Sequence, residues 1–296
     1  MSSLRFSFRL FTWLARFVSP EVEIVGPARA REAMRENTGG FDFLFGTPPT
    51  LGDVRDEELA GVLVRRYTPN ARTAGTVVYF HGGGWVVGDL ASHDRPLRHL
   101  CAQTGHEVIS VDYRLAPEHP FPAAIDDALA VTRAVLESTR VVVAGDSAGG
   151  HLAAVVARRL ANEPGLAGQL LIYPVTTCAT ESASYERFAT GYFLTRETMR
   201  FYKDTFLGAG VDRRHPDASP LEAPVVKTTD AYVLLASHDV LHDEGVAYAK
   251  KLEAEGAQVT LDEVPGVTHG FFNLQGLPES RAAMARAATW VKARLA

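Results

Sequence analysis

A chain of 296 residues with 46% apolar and 22% charged side chains has the make-up of a folded globular protein with a large core, which excludes disordered and fibrous classes. Its formal net charge of −5, with no run of lysines or arginines, leaves no electrostatic footprint for nucleic acid. The two cysteines, Cys101 and Cys178, lack metal-ligand spacing and fit a reducing cytoplasm, with no metal or cofactor implied.

Taken in chain order, the first element is "MSSLRFSFRLFTWLARFVSP", in which Leu4, Phe8, Phe11, Leu14 and Val18 recur at helical spacing. The expectation is an amphipathic helix lying over something apolar. Arg9 and Arg16 interrupt the apolar stretch, so a secretory signal or an interfacial anchor is the alternative, and no segment is long enough to span a bilayer. Strand candidates follow at "TVVYF", "EVISVDY", "RVVVAG", "QLLIYP", "AYVLLAS" and "VTLDEV". Several are continuous apolar runs, as in strands covered by helices on both faces, which predicts a mostly parallel sheet. Helix candidates alternate with them at "FPAAIDDALAVTRAVLES", "SAGGHLAAVVARRLAN", "DEGVAYAKKLEAEG" and "PESRAAMARAATWVKARL". Two segments stand outside this βα alternation: residues 1–50, and an aromatic-rich insertion at about 178–215. Both are expected to roof a pocket.

The chemistry is concentrated at the strand ends. "VVVAGDSAGGHLAA" is a strand, a Gly-x-Ser-x-Gly turn and a helix, the context of a nucleophile elbow, with Ser147 at its tip. A helix-capping serine is the plainer reading of the same turn. A serine nucleophile needs a base. His269, in "VPGVTHGFF", is both late in the chain and loop-borne; His81 precedes a glycine run, His151 lies on the helix after Ser147, and His238 and His242 read as solvent-facing. An orienting carboxylate is expected at Asp239, just past the "AYVLLAS" strand, with Asp243 as the alternative. Gly82, Gly83 and Gly84 follow another strand and let the backbone aim amides at a developing oxyanion.

The strings "VVYFHGGGWVVGDLASHD", "VDYRLAPEHPFPAAIDDA", "GDSAGGHLAA", "LLIYP" and "THGFF" resemble the bacterial branch of the hormone-sensitive-lipase family of α/β-hydrolase esterases. The resemblance runs from about Val77 to the C-terminus and fades before Gly61. It implies an α/β fold, with a mostly parallel eight-stranded sheet, helices on both faces and a helical cap made of residues 1–50 and the 178–215 insertion. The catalytic domain would be 51–296. It carries the nucleophile to Ser147, the acid to Asp239, the base to His269 and the oxyanion donors to the amides of Gly83, Gly84 and Ala148, with Gly82 shaping the turn. One departure is Val240, where the family usually has proline after the acid.

The function expected on these grounds is a serine carboxylesterase acting on short- to medium-chain esters, with Trp85, Phe188, Tyr192 and Phe193 lining the substrate pocket. A small-molecule ester would be the partner, with a homodimer possible. A hydrolase of another acyl or formamide substrate, or a true lipase, is the rival. A non-catalytic receptor on this scaffold would be expected to lack part of the triad, and an acyltransferase would need a second acceptor site, of which the sequence has no sign.

Overall fold

The computed structural model describes residues 3–18, 21–36 and 42–296. The chain runs α1 (Phe6–Val18), α2 (Val22–Val25), α3 (Pro27–Glu36), α4 (Asp42–Phe45), β1 (Asp53–Leu59), β2 (Val62–Thr68), β3 (Thr76–Phe80), α5 (Asp94–Thr104), β4 (Glu107–Val111) and α6 (Ala123–Leu136). It continues β5 (Val141–Asp146), α7 (Ala148–Arg159), β6 (Leu166–Ile172), α8 (Ala183–Arg187), α9 (Arg196–Leu207), β7 (Ala231–His238), α10 (His242–Ala254), β8 (Val259–Thr268), a 3₁₀ turn at Phe271–Asn273 and α11 (Pro278–Leu295). All six strand candidates and all four helix candidates are elements of this list.

The eight strands form one sheet in the order β1-β2-β4-β3-β5-β6-β7-β8. From β4 to β8 every neighbouring pair is parallel, and β2 joins β4 antiparallel. The apolar runs are two-sided. Val78 and Phe80 of β3 enter the core under α6 and α7, while Val77 and Tyr79 enter the core under α5 and α11.

The β1–β2 hairpin has no counterpart among the strand candidates. Its first strand, "DVRDEEL", has the charge density of an exposed edge rather than of a core, and that charge is cross-strand paired: Arg65 with Asp56 at 2.6 Å and Arg66 with Glu57 at 2.6 Å. Ala60 and Gly61, with φ of 55° and 79°, make the two-residue turn whose twist suits a hairpin.

α1 lies against the end of β8, where the Arg5 amide donates to the Gly266 carbonyl at 3.0 Å. Phe8 is fully buried, and Leu4 and Phe11 pack on the same core as α11. The side chain of Val18, together with residues 1–2, 19–20 and 37–41 of the expected N-terminal segment, falls outside the described residues. The insertion between β6 and β7 carries α8 and α9. α9 meets α2 through Thr198, whose hydroxyl donates to Glu23 at 2.8 Å.

Candidate active site

Parallel strands end together, so the loops after β3, β5, β7 and β8 converge on one sheet edge. Register sets the details. Phe80 pairs with Gly145, which puts the glycine run after β3 beside the turn after β5. His238 pairs with Thr268 across a bulge in β7–β8, so Asp239 and His269 leave their strands side by side.

Ser147 has φ 57° and ψ −118°, a strained conformation for a residue with a side chain, and its hydroxyl caps no helix amide. The plainer capping role is therefore absent. The flanking residues have to be glycine: a Cβ on Gly145 would meet the Gly149 carbonyl oxygen at 2.2 Å, and one on Gly149 would meet that of Phe80 at 1.9 Å. Ser147 Oγ lies 3.0 Å from His269 Nε2, and His269 Nδ1 lies 2.6 Å from Asp239 Oδ2. Asp239 is 1% exposed, and its other oxygen accepts the Leu241 amide at 3.0 Å. A carboxylate can only accept, so His269 carries its proton on Nδ1 and turns the lone pair of Nε2 toward the serine. Asp243, the alternative acid, instead faces Arg187 at 2.6 Å and His242 Nδ1 at 2.9 Å.

The other histidines have different settings. His81 is buried, stacked on Tyr113 and pushed down to about 4 by burial. His151 is pushed by burial to about 3. His238, expected to face solvent, is buried: its ring packs against Phe188 and Tyr192, a tertiary contact invisible in the local pattern. His242, half-buried, bonds Glu263 at 2.7 Å.

Beside Ser147, the Gly82 amide is engaged by Asp146 Oδ1 at 3.0 Å. Gly83 and Gly84, at φ 117° and 60°, direct their amides to no other described residue. The Ala148 amide stands in the first turn of α7, where a helix supplies no acceptor.

Asp146, which the sequence reading passed over as part of the turn, is buried and gathers the surrounding loops. It accepts from Tyr79 OH at 2.8 Å, the Gly82 amide at 3.0 Å, His93 Nε2 at 3.2 Å and Asn273 Nδ2 at 3.3 Å. Burial would raise its pKa, but the charge and hydrogen bond of His93 and the hydrogen bond of Tyr79 outweigh it and hold the carboxyl down at about 2. Tyr173, also missed, packs its ring 4.5 Å from that of His269.

Of the expected pocket residues, Trp85 is corrected. It is fully buried, stacked on Phe206 at 4.2 Å and donating to His151 Nδ1 at 3.3 Å, so its ring faces packed side chains and not open space. The ring beside the glycines is that of Tyr202: a Cβ on Gly84 would lie 2.1 Å from its Cγ. Phe188 is buried against Tyr192, while Phe193 is 41% exposed, packs on Phe11 at 5.0 Å and borders Gly270 next to His269. A cavity of about 480 Å³ lies between α1 and residues 190–192, with Leu4, Trp13 and Tyr192 in its wall and none of Ser147, Asp239 or His269. Among the described residues no cluster of His, Cys, Asp and Glu could hold a metal ion, and no helix is long and apolar enough to cross a membrane.

An eight-stranded sheet of this order, with a strained serine at the β5–α7 turn and a late histidine beyond β8, defines an α/β hydrolase. The profile of the α/β-hydrolase-fold family matches residues 77–273. The chain is 40% identical over 232 residues to an ethyl acetate hydrolase of Pseudomonas putida, covering 73% of each, and 38% identical over 255 residues to a carboxylesterase of Mycobacterium tuberculosis, covering 77% of this chain and 79% of that one. Among solved structures it is similar to an ester hydrolase from the Lake Arreo metagenome complexed with a bipyridine phosphonate derivative. The TM-score is 0.90 at 37% identity, with 98% of both chains covered. A hyperthermophilic esterase of Pyrobaculum calidifontis gives a TM-score of 0.90 at 31% identity, covering 99% and 100%. The chain belongs to the α/β-hydrolase fold family, in its hormone-sensitive-lipase-like esterase branch, and is a carboxylic ester hydrolase.

Proposed function

We propose that Ser147, His269 and Asp239 hydrolyse short- to medium-chain carboxylic esters through an acyl-enzyme. The observation that carries this reading is the continuous chain of contacts from Ser147 Oγ to His269 Nε2 at 3.0 Å and from His269 Nδ1 to Asp239 Oδ2 at 2.6 Å. Ser147 Oγ attacks the ester carbonyl as its proton moves to Nε2. The imidazolium, balanced by Asp239, returns that proton to the leaving alkoxide, and the alcohol departs. Water then attacks the acyl-enzyme, again giving its proton to Nε2, and the acid is released as Ser147 is reprotonated. The amides of Gly83, Gly84 and Ala148 stabilise the oxyanion at both tetrahedral stages.

Size selectivity follows from what surrounds this centre. Tyr202 of α9 sits against Gly84, and Phe193 with Phe11 of α1 sits by Gly270. We assign residues 1–50 and 178–215 to a cap over the 51–296 catalytic domain, with Tyr202 and Phe193 limiting the acyl slot. The relative named for ethyl acetate hydrolysis supports a small substrate. Cys101 and Cys178, both buried and unpaired, fit the cytoplasm.

The test is kcat/KM on p-nitrophenyl esters from acetate to palmitate, with N-formyl amides alongside. Each added methylene buried contributes about 0.8 kcal/mol, so the value should climb up to roughly fourfold per carbon and then fall beyond about six to eight carbons. A preference for long-chain emulsions would overturn the esterase reading in favour of a lipase, and faster turnover of the formamides would make it an amide hydrolase.

A further inference from the structure

The turn that carries the acid is held from outside the triad. Asp239, Val240 and Leu241 connect β7 to α10, and Asp239 itself secures part of the turn, accepting the Leu241 amide on Oδ1 at 3.0 Å and the His242 amide on its carbonyl at 3.2 Å. The Val240 carbonyl faces the insertion instead. There Ser184 of α8, fully buried, donates its hydroxyl to that carbonyl at 2.6 Å, and no other described donor reaches it. Ser184 Oγ in turn accepts the Asp243 amide at 3.3 Å and lies 2.9 Å from Ser182 Oγ. One hydroxyl therefore joins residues 240 and 243, on either side of Leu241.

α8 is itself anchored. Arg187 pairs with Asp243 at 2.6 Å, and Tyr185 OH accepts from buried Lys203 at 2.6 Å. Lys203 stands 3.9 Å from Glu244, whose other oxygen accepts the Thr176 amide at 2.7 Å. Ser184 is thus a fixed point against which the turn can be located.

We propose that Ser184 is a positioning residue for ester hydrolysis: by holding the Val240 carbonyl and the Asp243 amide together, it fixes the turn that aims Asp239 at His269. Valine leaves φ of residue 240 free, and the Val240 amide donates to no described residue, so nothing inside the turn replaces the serine. A proline at this position would restrict φ without removing a hydrogen bond. The inference rests on Asp239 being the acid.

The experiment measures kcat and KM on p-nitrophenyl butyrate with the full chain, for the parent, Ser184→Ala, Val240→Pro, the double variant and Asp239→Asn. Sub-ångström misplacement of a catalytic group predicts a fall in kcat of about tenfold for Ser184→Ala with KM within about twofold. In the Val240→Pro background the same substitution should lower kcat less than about threefold, the coupling expected of two devices that restrain one turn. Three results overturn the proposal: kcat of Ser184→Ala within about twofold of the parent, an equal loss in both backgrounds, or a rise in KM in place of the fall in kcat. Should Ser184→Ala not fold, Ser184→Cys, a weaker donor of similar shape, must give an intermediate kcat, and parental kcat there overturns the proposal equally. Asp239→Asn separates the two levels. If it keeps more than about a tenth of kcat, the acid assignment itself fails, whatever Ser184 does.

Discussion

Asp239→Asn is an unusually specific test because the geometry dictates which way the new amide must face. Asp239 Oδ1 accepts the Leu241 amide at 3.0 Å, so the asparagine oxygen is retained there and its NH₂ is forced into the place of Oδ2. That NH₂ then points at His269 Nδ1 over the 2.6 Å now spanned by the ion-assisted contact. Two donors cannot face each other, so His269 moves its proton from Nδ1 to Nε2. Nε2 is the atom 3.0 Å from Ser147 Oγ, and once protonated it cannot take the serine proton. The loss therefore combines a wrong tautomer with the missing charge beside the imidazolium, and should amount to about 10⁴-fold in kcat, or about 5.5 kcal/mol at the transition state. Steady-state kinetics on p-nitrophenyl butyrate at pH 7, with circular dichroism to show the fold retained, measures it. A folded variant within about tenfold of the parent would refute the reasoning, and so would an equal loss in Asp243→Asn, since Asp243 is turned toward Arg187.

Ser147→Ala should lower kcat by about 10⁴-fold or more with the fold unchanged, and a residual tenth of the activity removes the serine from the mechanism. Gly84→Ala should reduce kcat/KM at least about tenfold, because at φ 60° a Cβ lies 2.1 Å from Tyr202 Cγ, and the loop, at a strain of roughly 1–3 kcal/mol, must shift the amides it carries; unchanged kinetics would show that the loop does not set the rate. Asp146 yields a pH prediction. Its folded pKa of about 2 lies below the ordinary 3.8, so its contribution, about 2 kcal/mol, is fully present above pH 4 and disappears as pH falls toward 2. Urea denaturation between pH 5 and 2.5 should show a smaller loss of stability in Asp146→Asn than in the parent, and identical slopes would contradict a depressed pKa.

Much of this was legible along the chain, because buried parallel strands advertise themselves as continuous apolar runs and because turns with no room for a Cβ admit only glycine. Gly82 to Gly84 and Gly145 to Gly149 could be read as close-approach turns, and "TVVYF", "RVVVAG" and "AYVLLAS" as the strands that carry them. The charged edge strand β1 was not legible, since its pattern is set by cross-strand pairing with Arg65 and Arg66 rather than by burial. Nor was the setting of Trp85, whose neighbour Phe206 is brought to it only when α9 folds back over the sheet. Local sequence carries conformational preference and hydrophobic period, and these determined the sheet, the elbow at Ser147 and the late loop at His269. Which carboxylate faces the imidazole, which donors gather on Asp146 and which hydroxyl holds Val240 depend on strand register and helix docking between residues up to 127 positions apart, and only the tertiary structure decides them.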